Sequence, residues 1–211
     1  SECCGCGACL NICPRNAISM VEDECGFLYP EIDDNVCIRC KKCTLVCAFQ
    51  NINENNKPLK TYAAVSKNKE QAVKSASGGV FAAIAKDFLN KGGIVFGAAF
   101  NEKKEVLHKS INKIEELYLL QGSKYVQSKI GNTYKEVKDL LIDGNKVLFS
   151  GTPCQVAGLK SYLGKEYDGL LTVDFICHGV PSEKIFQSYL QFMEGKYGGG
   201  LTYFTFRDKN I

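Results

Sequence analysis

The chain has 211 residues, 26 Lys and Arg against 23 Asp and Glu, and a formal net charge of +3 at pH 7. Because 45% of its residues are hydrophobic and 23% are charged, it has the apolar material for a buried core and is not a disordered polymer. The small, dispersed positive charge excludes a nucleic-acid-binding stripe, and no apolar run approaches the ~18 residues of a membrane-spanning helix.

Cysteine is the abnormal component of the sequence. Of twelve cysteines, ten fall within the first 47 residues, and the other two are Cys154 and Cys177. The first segment is rich in cysteine rather than apolar, so it does not read as a signal peptide, and we expect a cytoplasmic protein. In a reducing compartment, clustered cysteines usually hold metal.

The cysteine-rich segment contains the pattern C-x2-C-x2-C-x3-C twice, with an offset of 34 residues. The first copy consists of Cys3, Cys6, Cys9 and Cys13, and the second consists of Cys37, Cys40, Cys43 and Cys47. In bacterial ferredoxins with this pattern, three cysteines of a copy bind one 4Fe-4S cluster and the fourth binds the other. We therefore expect two clusters, with Cys47 completing the first ligand set and Cys13 completing the second.

Small residues support the iron–sulfur interpretation. Gly5 and Gly7 allow the backbone to wrap closely around a cofactor, and Pro14 follows the first copy as in the usual motif. Ala48 replaces proline after the second copy, which removes no ligand. The alternatives are structural zinc, which usually uses two separated cysteine pairs, and disulfides, which the compartment disfavours.

The remaining features of the N-terminal segment are structural. Residues 26–30 (GFLYP) predict part of a small hairpin, which with two short helices gives a ferredoxin-like α+β domain over residues 1–57. Cys4 and Cys25 lie outside both motifs, and we interpret them as packed or incidental thiols. Residues 51–61 are polar, contain Pro58 and predict a linker.

Beyond the linker, the pattern alternates between strands and helices, which predicts an α/β domain with a mainly parallel sheet over residues 61–211. The predicted strands are 63–65, 94–100, 146–149 and 170–176, with an edge strand around His108. The predicted helices are 80–89, 113–120, 132–142, a helix ending at Leu163, and one from 182 to about 194.

Two loops that follow predicted strands carry chemically active residues. Cys154 lies in one loop and Cys177 in the other, and loops after parallel strands emerge at one sheet edge, where ligands bind. Cys154 also lies near a predicted helix N-terminus, which favours a thiolate. The functional options are cluster ligands, a redox dithiol or a nucleophile, and the alternative is two buried thiols. His178 is a candidate proton donor or cofactor contact, or a structural histidine.

A second set of residues is predicted to contact a cofactor. Ser77, Gly78 and Gly79 precede a helix and offer amides to a phosphate, although a helix cap with a tight turn gives the same pattern. Lys124 is a candidate contact for an anionic cofactor, with a solvated lysine as the alternative. Gly151 and Thr152, in the loop before Cys154, are assigned to the same cofactor site.

Several segments together resemble the coenzyme F420 hydrogenase/dehydrogenase beta-subunit family. The segments that carry the resemblance are SGGVFAAIAKDFLNKGGIVFGAAF, GSKYVQS, GTPCQVAGLK, DFICHGVPS and FRDK. The resemblance implies a flavin-containing oxidoreductase module, with FAD as the further cofactor, that receives electrons from iron–sulfur clusters. It also implies that Cys154 and Cys177 match positions near an additional, third 4Fe-4S cluster.

The resemblance also sets expectations about catalysis and partners. Cys154, Cys177 and His178 are the expected catalytic residues, and the expected partner is a redox protein or a small-molecule electron acceptor. FRDK lies inside the family's catalytic domain, so we expect the chain to be a fragment that continues beyond residue 211. The alternative function is a non-catalytic ferredoxin-type electron carrier or an accessory protein that docks to a separate enzyme. The sequence does not set the oligomeric state.

Overall fold

The computed structural model describes residues 3–51 and 58–208. Most of the predicted linker, residues 52–57, lies outside the described residues, so the domain boundary there stays a prediction. The predicted fold class is confirmed: a small α+β unit with a ferredoxin-like motif precedes a unit with a mixed, mostly parallel sheet.

The N-terminal unit is a hairpin flanked by two very short helices. Strands β1 (Ile18–Glu22) and β2 (Leu28–Ile32) pair antiparallel, with Ile18 opposite Ile32, and Gly26 turns between them at φ 82°. Helix α1 (Ala8–Ile12) begins after Gly7 of the first cysteine loop. Helix α2 (Lys42–Leu45) begins after Lys41, the equivalent residue of the second loop. The hairpin prediction is therefore confirmed.

The second unit is built on a four-stranded sheet in the order β4-β3-β5-β6. The strands are β3 (Ile94–Phe100), β4 (Val106–Ile111), β5 (Val147–Gly151) and β6 (Leu170–Asp174). The helices are α3 (Lys69–Val73), α4 (Val80–Asn90), α5 (Leu117–Leu120), α6 (Thr133–Ile142), α7 (Pro153–Leu163) and α8 (Glu183–Tyr197), with a 3₁₀ turn at Ile114–Glu116. Strands β3, β5 and β6 run parallel, and β4 is an antiparallel edge.

Buried side chains cover both faces of the sheet. Helices α4 and α5 supply one layer, which contains Ala85, Leu89 and Leu120. Helices α6 and α7 supply the other, which contains Tyr134, Val137 and Leu159 together with Phe149 of β5. Ala8 and Val46 of the N-terminal unit belong to this second layer, so the two units share one core.

Two predicted elements differ from the structure. Residues 63–65 are not a strand, because they pair with no strand in the part of the chain that the structure describes. The neighbouring Ser66 amide donates a single hydrogen bond of 2.7 Å to the Gly78 carbonyl oxygen. Strand β6 ends at Asp174 rather than Ile176, since its pairing with β5 stops where Gly151 leads into helix α7. Within the described residues, no helix is long and apolar enough to cross a membrane.

Candidate metal centre

The two cysteine loops have the same backbone conformation, although their sequences differ. Gly5 and Gly7 have φ values of 65° and 75°, and the equivalent residues of the second copy, Arg39 and Lys41, have φ values of 55° and 60°. Non-glycine residues rarely adopt this left-handed conformation, because their Cβ atom crowds the backbone. The repeat therefore specifies a loop shape that the second copy adopts even without glycine.

Hydrogen bonds to sulfur repeat in the same way. The Gly5 amide donates to Cys3 Sγ over 3.4 Å, and the Arg39 amide donates to Cys37 Sγ over the same distance. The Ala17 amide donates to Cys13 Sγ over 3.2 Å. Such bonds stabilise a thiolate and tune an iron–sulfur cluster, since they lower the negative charge on sulfur.

Cys13 lies with the second cysteine loop. A single cavity is lined by Cys13, Cys37, Cys40 and Cys43, which is the ligand set predicted for the second cluster. Arg15, Lys41 and Lys42 lie at the same cavity. The first copy therefore contributes its fourth cysteine to a pocket formed mainly by the second copy.

The thiols of the first loop form a more enclosed group. Cys9 lies close enough to Cys3 and Cys43 for their charges to interact, and burial raises its pKa to about 11. The pKa of Cys6 is lowered, because the Cys4 thiol donates a hydrogen bond to it. Helices α1 and α2 pack against each other, which brings the two copies of the motif together.

The donor set fits iron–sulfur clusters. All eight motif positions offer thiols, and left-handed loops place amides towards sulfur, as a thiolate-ligated cluster requires. Among residues 3–51 and 58–208, no three Cys, His, Asp or Glu side chains are arranged to hold a single metal ion.

The first loop is anchored on helices α6 and α7. The buried hydroxyl of Tyr134 lies 2.7 Å from the Cys6 carbonyl oxygen and 2.9 Å from the Gln155 carbonyl oxygen. Gly158 leaves room for the loop, because a Cβ atom there would lie 2.9 Å from Cys6 Sγ. The side-chain Nδ2 of Asn11 donates a further hydrogen bond of 2.8 Å to the Gly131 carbonyl oxygen. None of these contacts was predicted from the sequence. The one feature of the sequence that could have indicated them is Gly158, a glycine inside helix α7.

The structure also brings Cys4 to Cys154. The two side chains lie close enough to shift each other's pKa, and Cys4 lies similarly close to Cys6. Thr152 Oγ1 lies 3.0 Å from Cys154 Sγ. Cys4 was interpreted as a packed or incidental thiol, and the sequence did not indicate its position between the first cysteine loop and helix α7.

The other expected catalytic groups lie differently. The helix N-terminus favours a thiolate at Cys154, but the pKa of Cys154 is raised, because of the hydrogen bond with Cys4 and burial. Cys177 follows strand β6, the neighbour of β5, and is partly buried, while His178 is exposed. In the described part of the chain, no hydrogen bond joins Cys177 to Cys154.

The chain itself packs against Gly78 of the predicted phosphate-binding segment. A Cβ atom on Gly78 would lie 2.6 Å from the Ala64 carbonyl oxygen, so glycine allows residues 64–66 to pack closely there. Gly79 caps helix α4 at φ 77°. Ser77 precedes this cap. The arrangement agrees with the alternative of a cap and tight turn.

The remaining predicted cofactor residues also have internal roles. Lys124 donates to the carbonyl oxygens of Gln121 and Gly122, at 2.8 and 3.3 Å, and burial lowers its pKa to about 8. Gly151 ends strand β5, and Thr152 begins helix α7, where its amide donates to Gln155 Oε1 over 3.0 Å. These residues and Ser77–Gly79 do not line the two cavities described here.

A larger cavity lies beside the first cysteine loop. It has a volume of about 360 Å³ and opens between the hairpin, the loop and residues 128–131. The lining residues are Gly5, Gly7, Leu10, Met20, Glu22, Leu28, Ser128, Lys129, Ile130 and Gly131. This volume lies in the range of small-molecule sites, and its mostly apolar lining with a few polar groups is typical of them.

His108 is a further buried group without a sequence signal. Its ring stacks on Phe149, Nδ1 lies 2.6 Å from Ser128 Oγ, and Nε2 lies 3.1 Å from the Ser150 carbonyl oxygen. The carbonyl requires a proton on Nε2, so Nδ1 accepts from the serine hydroxyl. Burial lowers the pKa of His108 to about 4, which keeps the ring neutral at physiological pH.

Two family models match the chain. Residues 2–51 match the 4Fe-4S dicluster domain, and residues 144–209 match the C terminus of the coenzyme F420 hydrogenase/dehydrogenase beta subunit. A search of curated proteins gives no match.

Among solved structures, the matches include a chain of the F420-reducing [NiFe] hydrogenase complex from Methanosarcina barkeri, at 21% sequence identity and a TM-score of 0.48. The match covers 65% of this chain and 52% of that one, so the chain spans about half the length of this relative.

Proposed function

We propose that the chain, whose residues 144–209 match the C terminus of the coenzyme F420 hydrogenase/dehydrogenase beta subunit, passes electrons from two 4Fe-4S clusters to a flavin-type acceptor in the α/β domain. The two family models support an iron–sulfur redox role. When bound, such clusters supply one-electron transfer. The chain's own residues hold the clusters, orient them towards the α/β domain and present one of them to a donor.

The observation that carries this proposal is the unequal burial of the two cysteine loops. The first loop packs on helix α7 through Cys6, Gly158 and the Tyr134 hydroxyl. The second loop, with Arg39, Cys40 and Lys41, is exposed. Because electron transfer requires short distances, the exposed loop suits entry from a partner, and the buried loop suits exit into the α/β domain.

The charge around the second loop indicates the kind of partner. Arg39, Lys41 and Lys42 are exposed, and Arg15 lines the cavity that contains Cys13 and Cys37. A basic surface around a redox site attracts an acidic protein and accelerates its association at low ionic strength. We therefore assign the donor to the class of acidic redox proteins.

The cavity beside the first loop supports an acceptor at this junction. The backbone of Gly5 and Gly7 forms one wall, and Ile130 and Gly131 form another. Its volume of about 360 Å³ suits the ring system of a flavin rather than the whole of FAD. The contacts predicted for Ser77, Gly78, Gly79, Lys124, Gly151 and Thr152 stay predictions, and so does a third cluster near Cys154 and Cys177.

Anaerobic purification of the protein, with iron, sulfide and flavin quantified together, tests the proposal. We expect about eight irons and eight sulfides per chain for two clusters, and bound flavin. About twelve irons would indicate the third cluster. Eight irons without flavin would contradict the acceptor and favour the electron-carrier alternative, and zinc in place of iron would contradict the whole proposal.

A matched pair of variants assigns the ligands. Cys13→Ser removes a predicted ligand of the second cluster, so it should lower the iron content towards about four per chain. Cys25→Ser changes an exposed cysteine outside both motifs and should keep the wild-type content. Equal iron loss in both variants would contradict the assignment of Cys13.

A further inference from the structure

The second cysteine loop exposes the face that the first loop packs against the α/β domain. In the first copy, a Cβ atom on Gly5 would lie 2.6 Å from Gln127 Nε2. Asn11 Nδ2 donates a hydrogen bond of 2.8 Å to the Gly131 carbonyl oxygen. Residues 127–131 therefore cover this face of the first copy.

At the equivalent positions, the second copy has exposed side chains. Leu45 stands where the first copy has Asn11, and it is 71% exposed whereas Asn11 is 2% exposed. Helix α2 has no buried residue, and it packs mainly against α1. The exposed residues equivalent to Gly5, Gly7 and Ala8 are Arg39, Lys41 and Lys42. Because the two loops share one backbone conformation, the second loop offers a similar packing surface, which the described part of the chain leaves open.

Two further apolar side chains extend this surface to the cavity of the second ligand set. Ile32 and Ile38 line that cavity, and they are 47% and 58% exposed. The Leu45 amide donates to the carbonyl oxygen of Lys41, another lining residue, over 3.2 Å, so Leu45 lies one helical turn from the cavity. A contiguous apolar patch with a polar rim marks an interaction site. We call the following residues the docking face: Ile32, Ile38, Arg39, Lys41, Lys42 and Leu45.

The charge of the docking face decides which partner suits it. The lining of the adjacent cavity includes three basic residues and no carboxylate, and the acidic residues nearest in sequence, Glu31, Asp33 and Asp34, lie outside this lining. A second copy of this chain would bring the same cations together across a two-fold axis, which their repulsion disfavours. Cations beside a cluster also offset its negative charge, but that role does not account for the exposed Ile38 and Leu45.

We propose that the docking face binds an acidic redox protein through an apolar centre, and that Ile38 and Leu45 supply most of the affinity. The inference rests on the proposed function in that this partner is the electron donor assigned there. Apolar side chains at the centre of an interface govern dissociation, whereas the surrounding charges govern the association rate and its salt dependence. A partner on this face also covers the cavity of the second ligand set, since Ile38 and Lys41 line it.

The test is anaerobic surface plasmon resonance on the full chain, purified with its iron, with two acidic probes in the oxidised state. The probes are a two-cluster ferredoxin and a flavodoxin. We expect at least one probe to bind, with a Kd that rises with ionic strength. Ile38→Ser and Leu45→Ser should each raise this Kd about tenfold, mainly through faster dissociation. The tenfold ratio to the wild type should persist at high ionic strength, because salt does not screen an apolar contact.

Ile142→Ser is the matched control. Ile142 is 63% exposed and ends helix α6, as Leu45 ends helix α2, but it lies outside the docking face. This variant should bind the probes as the wild type does. Iron is quantified in every sample, and about eight irons per chain show that a variant has kept its cluster sites. Leu45→Ser alone decides the outcome if Ile38→Ser loses iron, since Ile38 adjoins Cys37.

Several results would overturn the inference. These are no binding of either probe, wild-type Kd values in both docking-face variants, or equal weakening in Ile142→Ser. A wild-type dimer that Leu45→Ser converts to a monomer in sedimentation equilibrium would assign the face to a second copy of the chain instead. The proposed function fails separately: protein without flavin that binds a probe, and loses that binding in Leu45→Ser, would contradict the flavin-type acceptor and leave the docking face in place.

Discussion

Removal of the Tyr134 hydroxyl should loosen the first cysteine loop without unfolding the α/β domain. In Tyr134→Phe the ring stays in the core, where it packs near Phe149 and Tyr162, but the Cys6 and Gln155 carbonyls lose their shared donor. One hydroxyl hydrogen serves one carbonyl at a time, so the loss is about one net hydrogen bond plus the cost of a buried, unsatisfied carbonyl. Together these amount to about 1–3 kcal/mol.

Hydrogen exchange can measure this effect locally. A change of 1–3 kcal/mol in local opening should accelerate amide exchange in residues 3–13 by about 5- to 150-fold, while the strands β3 and β5 exchange as in the wild type. Tyr162→Phe is the matched control, since the described structure records no hydrogen bond for that hydroxyl, and it should leave the loop unchanged. If exchange in the loop is unaffected by Tyr134→Phe, or rises equally in both variants, the hydroxyl is not the anchor.

Three other changes separate packing, charge and pH. Gly158→Ala should lower the free energy of unfolding by about 1–3 kcal/mol and lower the iron content, because the new Cβ atom would lie 2.9 Å from Cys6 Sγ. The matched control is Gly195→Ala, which has open space around it and should raise the free energy of unfolding by about 0.5–1 kcal/mol. Denaturant unfolding measures both changes. Because the pKa of His108 is about 4 in the folded state and near 6.5 when unfolded, stability should fall by about 2 kcal/mol from pH 7 to pH 5. His108→Gln should remove that part of the pH dependence, and an unchanged slope would refute its origin. Lys42→Glu should slow reduction by an acidic donor at low salt and leave the rate at high salt unchanged, as measured by stopped-flow absorbance.

The cysteine loops and most of the sheet could be predicted from the sequence because their determinants are local. The ligand spacing recurs within each copy, and strand β3 occupies the predicted residues 94–100. The offset of 34 residues also aligns Arg39 and Lys41 with Gly5 and Gly7, and this alignment indicates left-handed backbone at both positions of the second copy.

The contacts between the two units could not be predicted, because they depend on how separate elements pack. Nothing in the sequence distinguishes Tyr134 from the other apolar residues of its amphipathic helix, or Cys4 from the other nine cysteines of the first 47 residues. His108 lies in an edge strand, and the backbone of Lys129 pairs with this edge through the His108 amide and the Val106 carbonyl. The His108 ring contacts Ser128 and Phe149, which are distant in sequence. Residues 63–65 have strand-like composition, yet no neighbouring strand offers them a ladder.

The two copies of the motif differ in sequence because their surroundings differ. At Gly5, a Cβ atom would lie 2.6 Å from Gln127 Nε2 and 2.7 Å from the Leu28 carbonyl oxygen, so packing against the rest of the chain requires glycine. Arg39 and Lys41 adopt the same backbone in the exposed copy, at a cost of about 1–2 kcal/mol each for left-handed conformation. Charged side chains at these two exposed positions agree with the proposed contact with an acidic donor. The same difference supports the proposed path of electrons, which enter at the exposed, basic copy and leave from the buried one.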